Sequence, residues 1–284
     1  MPYFTQYGSR ERATAVVQDV TGERRLLARQ LAAATELART DPSIYRTAGA
    51  QSAEEFGFLA PQVCGLANYA MIMGWLNGLD PSFEAPRKPM EYFDRFLAAR
   101  GYSYRDNAKT DMRVMAYAPF ARVLAENGVK AEYRLNDLGA LRQGGVKDHP
   151  DEAATQWKQR LAVYGLAEPD MTDDDVNRNL DEVRPPLPID EVVSHVREGG
   201  LAMLSVSPRI GWPNHEQKGN GHLVLVTGAG DDHIQFHDPA DSPGHQENVV
   251  RSIKDFDALY GQKGVLIHAP GLPTGVRQSS PTAR

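Results

Sequence analysis

From residue 201 onward the chain changes character, and this change limits the available folds more than any other feature. Leu201–Ser207, His222–Thr227, His233–Asp238, Val249–Ile253 and Gly264–His268 are short β-prone runs separated by Gly, Pro, Asn and Asp. Runs of this kind read as strands joined by turns. The chain before them reads mostly as helix. Residues 9–40 are rich in Ala, Leu, Arg and Glu, with Val16, Val20, Leu27, Leu31 and Leu37 at helical spacing. Asp41-Pro42 ends that stretch, because the residue before proline avoids the helical region. A loop is expected from there to Gln62. A second helix, Cys64 to Leu76, is apolar nearly all round and so should be buried on most sides, with Asn77-Gly78 and Pro81 stopping it.

Further helices are expected at 89–100 and 117–127, closed by Gly101 and Gly128, and a strand at 129–135. The charged segment 136–187 carries short helical patterns near 151–164 and 172–181, and Asp190 to Gly199 reads as one more helix. A helical first part followed by an antiparallel sheet is an α+β pattern. The expected organisation is an N-terminal helical extension over 1–48, a main domain over 49–270 and a disordered tail over 271–284.

Composition narrows the function classes. The formal net charge is -6, so no basic field attracts nucleic acid or an anionic membrane surface. The longest near-continuous apolar run, Tyr69 to Leu76, is far short of the ~20 residues of a membrane-spanning helix. The N-terminus has no apolar stretch with a small-residue cleavage site, and the expectation is a cytoplasmic protein. The single cysteine, Cys64, forms no internal disulfide and builds no Cys-rich zinc site.

That cysteine stands where a loop ends and the buried helix begins, in PQVCGLANYAMIMGWLNG. The first-turn N–H groups and the helix dipole favour negative charge at this point, and so favour a thiolate. Gly65 permits close approach of a substrate beside the sulfur, and the Cys64 N–H can face a developing oxyanion. The competing reading is an inert cysteine serving as a small core hydrophobe.

A nucleophilic thiol needs a base, and eight histidines are available. The runs HLVLVT (222–227) and HIQFHD (233–238) flank the turn 228–232. A hairpin centred on Gly230 sets Thr227 against His233 and His222 against Asp238, on the face shared by Val224, Val226, Ile234 and Phe236. Asp238 then accepts the imidazole Nδ1–H and stabilises the imidazolium, or else the two form a purely structural hydrogen bond. No metal is expected. His233 and His237 lie ~13 Å apart along a strand, and neither HExxH nor CxxC is present.

Cys64-Gly65 at the start of a buried helix, followed much later by GNGHLVLVTGAGDDHIQFHDP, resembles the papain-like fold of the C39-like cysteine peptidases. In that family the cysteine opens the central helix, the histidine begins a strand and Asp-Pro closes the next. The resemblance implies Cys64, His222 and Asp238 as catalytic residues. The segments IDEVVSHVREGGLAMLSVS and VVRSIKDFDALYGQKGVLIHA are similar to the family's elements before the histidine and to its final strand–helix–strand, so the likeness spans roughly 50–268. The run CGLANYAMIMGWLNGLDP also resembles the cysteine helix of phytochelatin synthase, a papain-fold transpeptidase. Both families usually place an oxyanion-hole glutamine six residues before the cysteine. Phe58 occupies that position here, which leaves Gln62 or Asn68 as the alternative donor.

The resemblance therefore implies a cysteine peptidase or amidase working through an acyl-thioester on a peptide or small-molecule acyl substrate, carrier-bound or free, with no cofactor. Resolution of the thioester by an amine or thiol instead of water gives an acyltransferase or transpeptidase. The missing glutamine at position 58 keeps a catalytically inactive binding module as the third reading.

Overall fold

The computed structural model describes residues 1, 26–48, 50–59, 64–79, 121, 124–125, 128–134, 186–213, 221–240 and 247–269. The expected helices at 89–100, 151–164 and 172–181 lie outside these residues, as do the first part of the 9–40 helix and the 271–284 tail.

The helical part contains α1 (Leu26–Thr40), α2 (Ser43–Ala48), α3 (Ala53–Leu59) and α4 (Cys64–Leu79). The loop expected between Asp41 and Gln62 is not a loop, because α2 and α3 occupy most of it. Local side-chain capping explains the difference. Asp41 Oδ1 accepts the Ser43 N–H at 3.0 Å at the start of α2. Before α3, Ser52 Oγ accepts the Glu55 N–H at 3.1 Å while Glu55 reaches back to the Gln51 N–H, a close variant of the reciprocal capping box. α3 packs against α1, and Arg39 joins Glu54 across them at 3.0 Å, so the contact crosses the 48/49 boundary of the expected extension.

α4 begins at Cys64 as expected but runs three residues past Leu76, through Asn77-Gly78. Both residues are exposed and a Cβ at Gly78 would meet nothing, so no packing forces the chain out of the helix there. The element ends just before Asp80, which precedes Pro81 and is biased against helix. Residues 121, 124 and 125 are helical, and Gly128, at φ +76°, turns the chain out of that helix, its N–H bonding the Ala125 carbonyl.

Five strands after residue 200, joined by β1 from the middle of the chain, form a 6-stranded antiparallel sheet in the order β1-β6-β2-β3-β4-β5. The strands are β1 (Ala131–Arg134), β2 (Leu201–Val206), β3 (His222–Ala229), β4 (His233–His237), β5 (Val249–Ser252) and β6 (Tyr260–Ile267). The architecture is therefore α+β. Helices α5 (Ile189–Arg197) and α6 (Ile253–Asp257) cover one face. Val192, Val196 and Phe256 pack there with Ala202, Leu204, Val224, Val226, Ile234 and Phe236. Alternation puts Met203, Ser205, Leu223, Leu225 and Val265 on the other face, and these are buried too. Covering both faces explains why β2 and β3 read as continuous apolar runs. α4 packs against β3, which brings the Cys64 helix to the strand that starts at His222.

Among the described residues, no helix is long and apolar enough to cross a membrane. At the centre of the sheet, Gly264 pairs with Leu204, and a Cβ built on it would meet the Met203 carbonyl oxygen and lie 3.1 Å from Leu204 Cα. These neighbours are backbone and cannot swing away. Gly264→Ala should therefore lower the unfolding free energy by about 1–3 kcal/mol in urea titrations, as overpacking of a core does.

Candidate functional site

β3 and β4 are antiparallel neighbours, so the start of one and the end of the other reach the same edge of the sheet. The register differs from the one expected. Leu225 pairs with His237 and Val226 with Phe236; after a bulge, Gly228 pairs with Gln235 and Ala229 with Ile234. β3 keeps Gly228 and Ala229 as strand residues, and the turn tightens to Gly230–Asp232, closed by the Gly230 N–H on the His233 carbonyl at 2.8 Å. Extending the pairing sets Val224, not His222, level with Asp238. The slip is an even number of residues, so the faces are kept and His222 meets Asp238 diagonally.

The diagonal contact is short. His222 Nε2–H donates to Asp238 Oδ1 at 2.7 Å. The sequence expectation of Nδ1 as the donor is thus corrected to Nε2, which leaves Nδ1 as the nitrogen for another partner. The Cys64 side chain lies near enough to the His222 ring to favour its charged form, as Asp238 does. The structure thereby joins His222 to Asp238 and packs the Cys64 helix on the strand that carries His222, with the three residues at 8%, 0% and 7% exposure for His222, Asp238 and Cys64.

Asp238 is itself fixed locally. The Ala240 N–H donates to the same Oδ1 at 2.9 Å, an Asx turn built on Asp238-Pro239-Ala240. Sequence reading missed the Ala240 N–H, although the Asp-Pro dipeptide is its signal. On the β2 side, His222 pairs in register with Val206, so the strand carrying the histidine is held from both flanks.

Burial disfavours a charged imidazole, yet His222 is pushed up to about 10. The Asp238 carboxylate overcomes the burial by its charge and hydrogen bond, and the Cys64 sulfur adds a smaller contribution of the same sign. The ring is consequently an imidazolium at neutral pH. Its neighbour His237 shows the opposite outcome. Burial lowers it to about 4, with Glu247 opposing and the Met1 ammonium assisting. Its Nδ1 accepts the Asn248 N–H at 3.0 Å, which suits a neutral ring.

Of the other expected site residues, Gly65 is buried beside Cys64 in the first turn of α4. Asn68 lies one turn further on, at 0% exposure, with no hydrogen-bond partner on either side-chain atom among the described residues. Gln62 lies outside the described residues, and Phe58 is in α3. His233 and His237 sit in strand β4, and among the described residues no group of three or more His, Cys, Asp or Glu side chains could hold a metal ion. His195 and His268 pack edge to face, and His195 Nε2–H donates to the Leu201 and Ile267 carbonyls at 3.2 and 3.0 Å, which ties α5 to β2 and β6.

No protein-family model, curated protein sequence or solved structure matches this chain.

The raised His222 value has a sign that can be checked. An unfolded histidine titrates near 6.5, so the folded pair contributes stability that is present in full below that value and is lost as pH rises through about 10. Unfolding measured between pH 7 and 10.5 should show wild type losing stability that His222→Gln does not lose. In Asp238→Ala, with the largest opposing charge gone, the His222 ring proton followed by NMR should titrate far below 10, at or under the ordinary histidine range.

Proposed function

We propose that the chain is a cysteine-nucleophile acyl hydrolase of the papain-like, C39-like type, cleaving a peptide or amide bond through an acyl-thioester in the cytoplasm. The observation that carries this reading is the buried His222–Asp238 hydrogen bond, with the Cys64 side chain also favouring the charged form of the ring. An α+β chain whose cysteine opens a buried helix against the strand bearing the histidine agrees with it.

In this mechanism the proton given up by the Cys64 thiol already resides on His222 in the resting enzyme, and the imidazolium rests against Asp238. The Cys64 sulfur attacks the carbonyl carbon, forming the S–C bond. The oxyanion is met by the Cys64 N–H, which belongs to the first turn of α4 and has no intrahelical acceptor. Collapse of the tetrahedral intermediate breaks the C–N bond, and His222 gives its proton to the leaving amine. Water, deprotonated by His222, then attacks the thioester, and collapse breaks the S–C bond, releasing the acid and leaving the sulfur as thiolate beside the protonated ring. Asp238 keeps the ring oriented through both transfers.

Alkylation of Cys64 by sub-stoichiometric iodoacetamide from pH 5.5 to 9.5 tests the pairing directly. Wild type should label rapidly on the acidic side. His222→Ala should label as an ordinary thiol titrating near 8.5, about a hundredfold slower at pH 6. A wild-type profile that rises only near that alkaline value, and does not change in His222→Ala, would leave the binding-module reading in its place.

A further inference from the structure

We propose that Asn68 reads the substrate. Its side-chain amide pairs with an amide unit in the acyl group that Cys64 takes up, so the acyl donors are peptide-like and not plain aliphatic chains. This rests on the acyl-thioester reading above and names its substrate class.

Asn68 is the fourth residue after Cys64 on α4. Residues at that spacing share a helix face with Cβ atoms ~5–6 Å apart. Helical Cβ bonds tilt toward the N-terminus, so the Asn68 amide leans back toward the thiol and the first-turn N–H groups. The side chain is completely buried, and among the described residues neither Oδ1 nor Nδ2 has a hydrogen-bond partner. Buried polar atoms are nearly always paired in native structures, and leaving a donor and an acceptor unmet is costly. Its neighbours along the helix are mostly apolar, since Leu66, Ala67, Tyr69, Met71, Ile72 and Met73 are all buried. A leucine would fill the position at lower cost, so the amide is retained at the expense of stability.

The chemistry of the amide identifies its partner. Asn presents one acceptor and two donors in a plane. A secondary amide presents the complementary donor and acceptor, whereas an aliphatic chain presents neither. In an acyl group taken from a peptide, the first such amide begins two bonds beyond the carbonyl carbon joined to sulfur, within reach of a neighbour one helical turn from Cys64. A site built to hydrogen-bond a group discriminates strongly against an analogue lacking it, because its own polar atoms are then left unpaired.

The test uses the full chain and two acyl donors of equal shape, the N-acetylglycyl and 4-methylpentanoyl thioesters of N-acetylcysteamine. Release of N-acetylcysteamine is followed by chromatography, and each rate is divided by that of free N-acetylcysteine to remove intrinsic reactivity. Wild type should favour the N-acetylglycyl donor by about tenfold or more, and Asn68→Leu should bring the two within about twofold. Thermal melting of the same variant provides a readout independent of turnover. Asn68→Leu should melt about 2–4 °C higher than wild type, because an unpartnered amide has been replaced by a hydrocarbon of similar volume.

No preference in wild type, a preference that survives in Asn68→Leu, or a lower melting temperature for the variant would each overturn the proposal. A wild type that fails the iodoacetamide test takes both readings down. One that passes it but lacks the preference overturns this proposal alone.

Discussion

The buried contact between His222 and Asp238 is the interaction on which the arrangement depends. Removing a carboxylate and an imidazole from water is expensive unless each compensates the other. Here the carboxylate is entirely buried and accepts both the ring Nε2–H and the Ala240 N–H on one oxygen. The second ring nitrogen is left for sulfur. The charge-compensated pair of ring and carboxyl follows from the strand ends, provided β3 keeps its register.

The sheet supplies that register twice over. β3 is an interior strand, paired with β2 on one side and β4 on the other. Val206 fixes the level of His222, while the pairing of Leu225 with His237 fixes the level of Asp238. A slip of one residue would turn His222 to the opposite face and take Val224 and Val226 out of the cluster they form with Phe236 and Phe256. Because both faces of β3 are buried, that slip is resisted by the core itself. The thiol arrives from a different direction, on a helix apolar nearly all round that packs on β3 and begins at Cys64. Packing elements thus do the positioning, and the polar groups sit at their ends.

Much of this was legible in the residues. The β-prone runs of the second half, the alternation that gives His222 and Asp238 the same face, and the start of the buried helix at Cys64 all follow from pattern and turn residues. What failed to show has physical causes. The bulge after Val226 depends on Gly228 and Ala229 staying in the strand, an outcome of packing that turn-forming residues disguise. β6 begins at Tyr260, four residues before the expected Gly264, although Gln262 in this stretch has φ +52°, a conformation that no strand pattern predicts. The helices α2 and α3 start at local side-chain caps, and the Ser52…Glu55 spacing that marks one of them is easily passed over in a polar stretch. The choice of Nε2 over Nδ1 requires the ring's orientation, which side-chain parity does not contain.

The contrast between His222 and His237 shows why sequence could find the pair and yet not rank it against other histidines on burial alone. Both rings are buried at the same edge of the same two strands. Desolvation pushes both toward the neutral form, and in His237 it prevails. In His222 the facing carboxylate and sulfur overturn it. Two buried imidazoles on opposite faces of the same sheet edge are therefore held in opposite protonation states by what stands opposite each ring. A charged ring poised between carboxylate and thiol can return a proton to a leaving group, while a neutral ring accepting the Asn248 N–H serves the loop that follows it. The division of labour lies in the partners, and the partners are set by strand register, so the chemistry of this site is a consequence of how β3 and β4 pair.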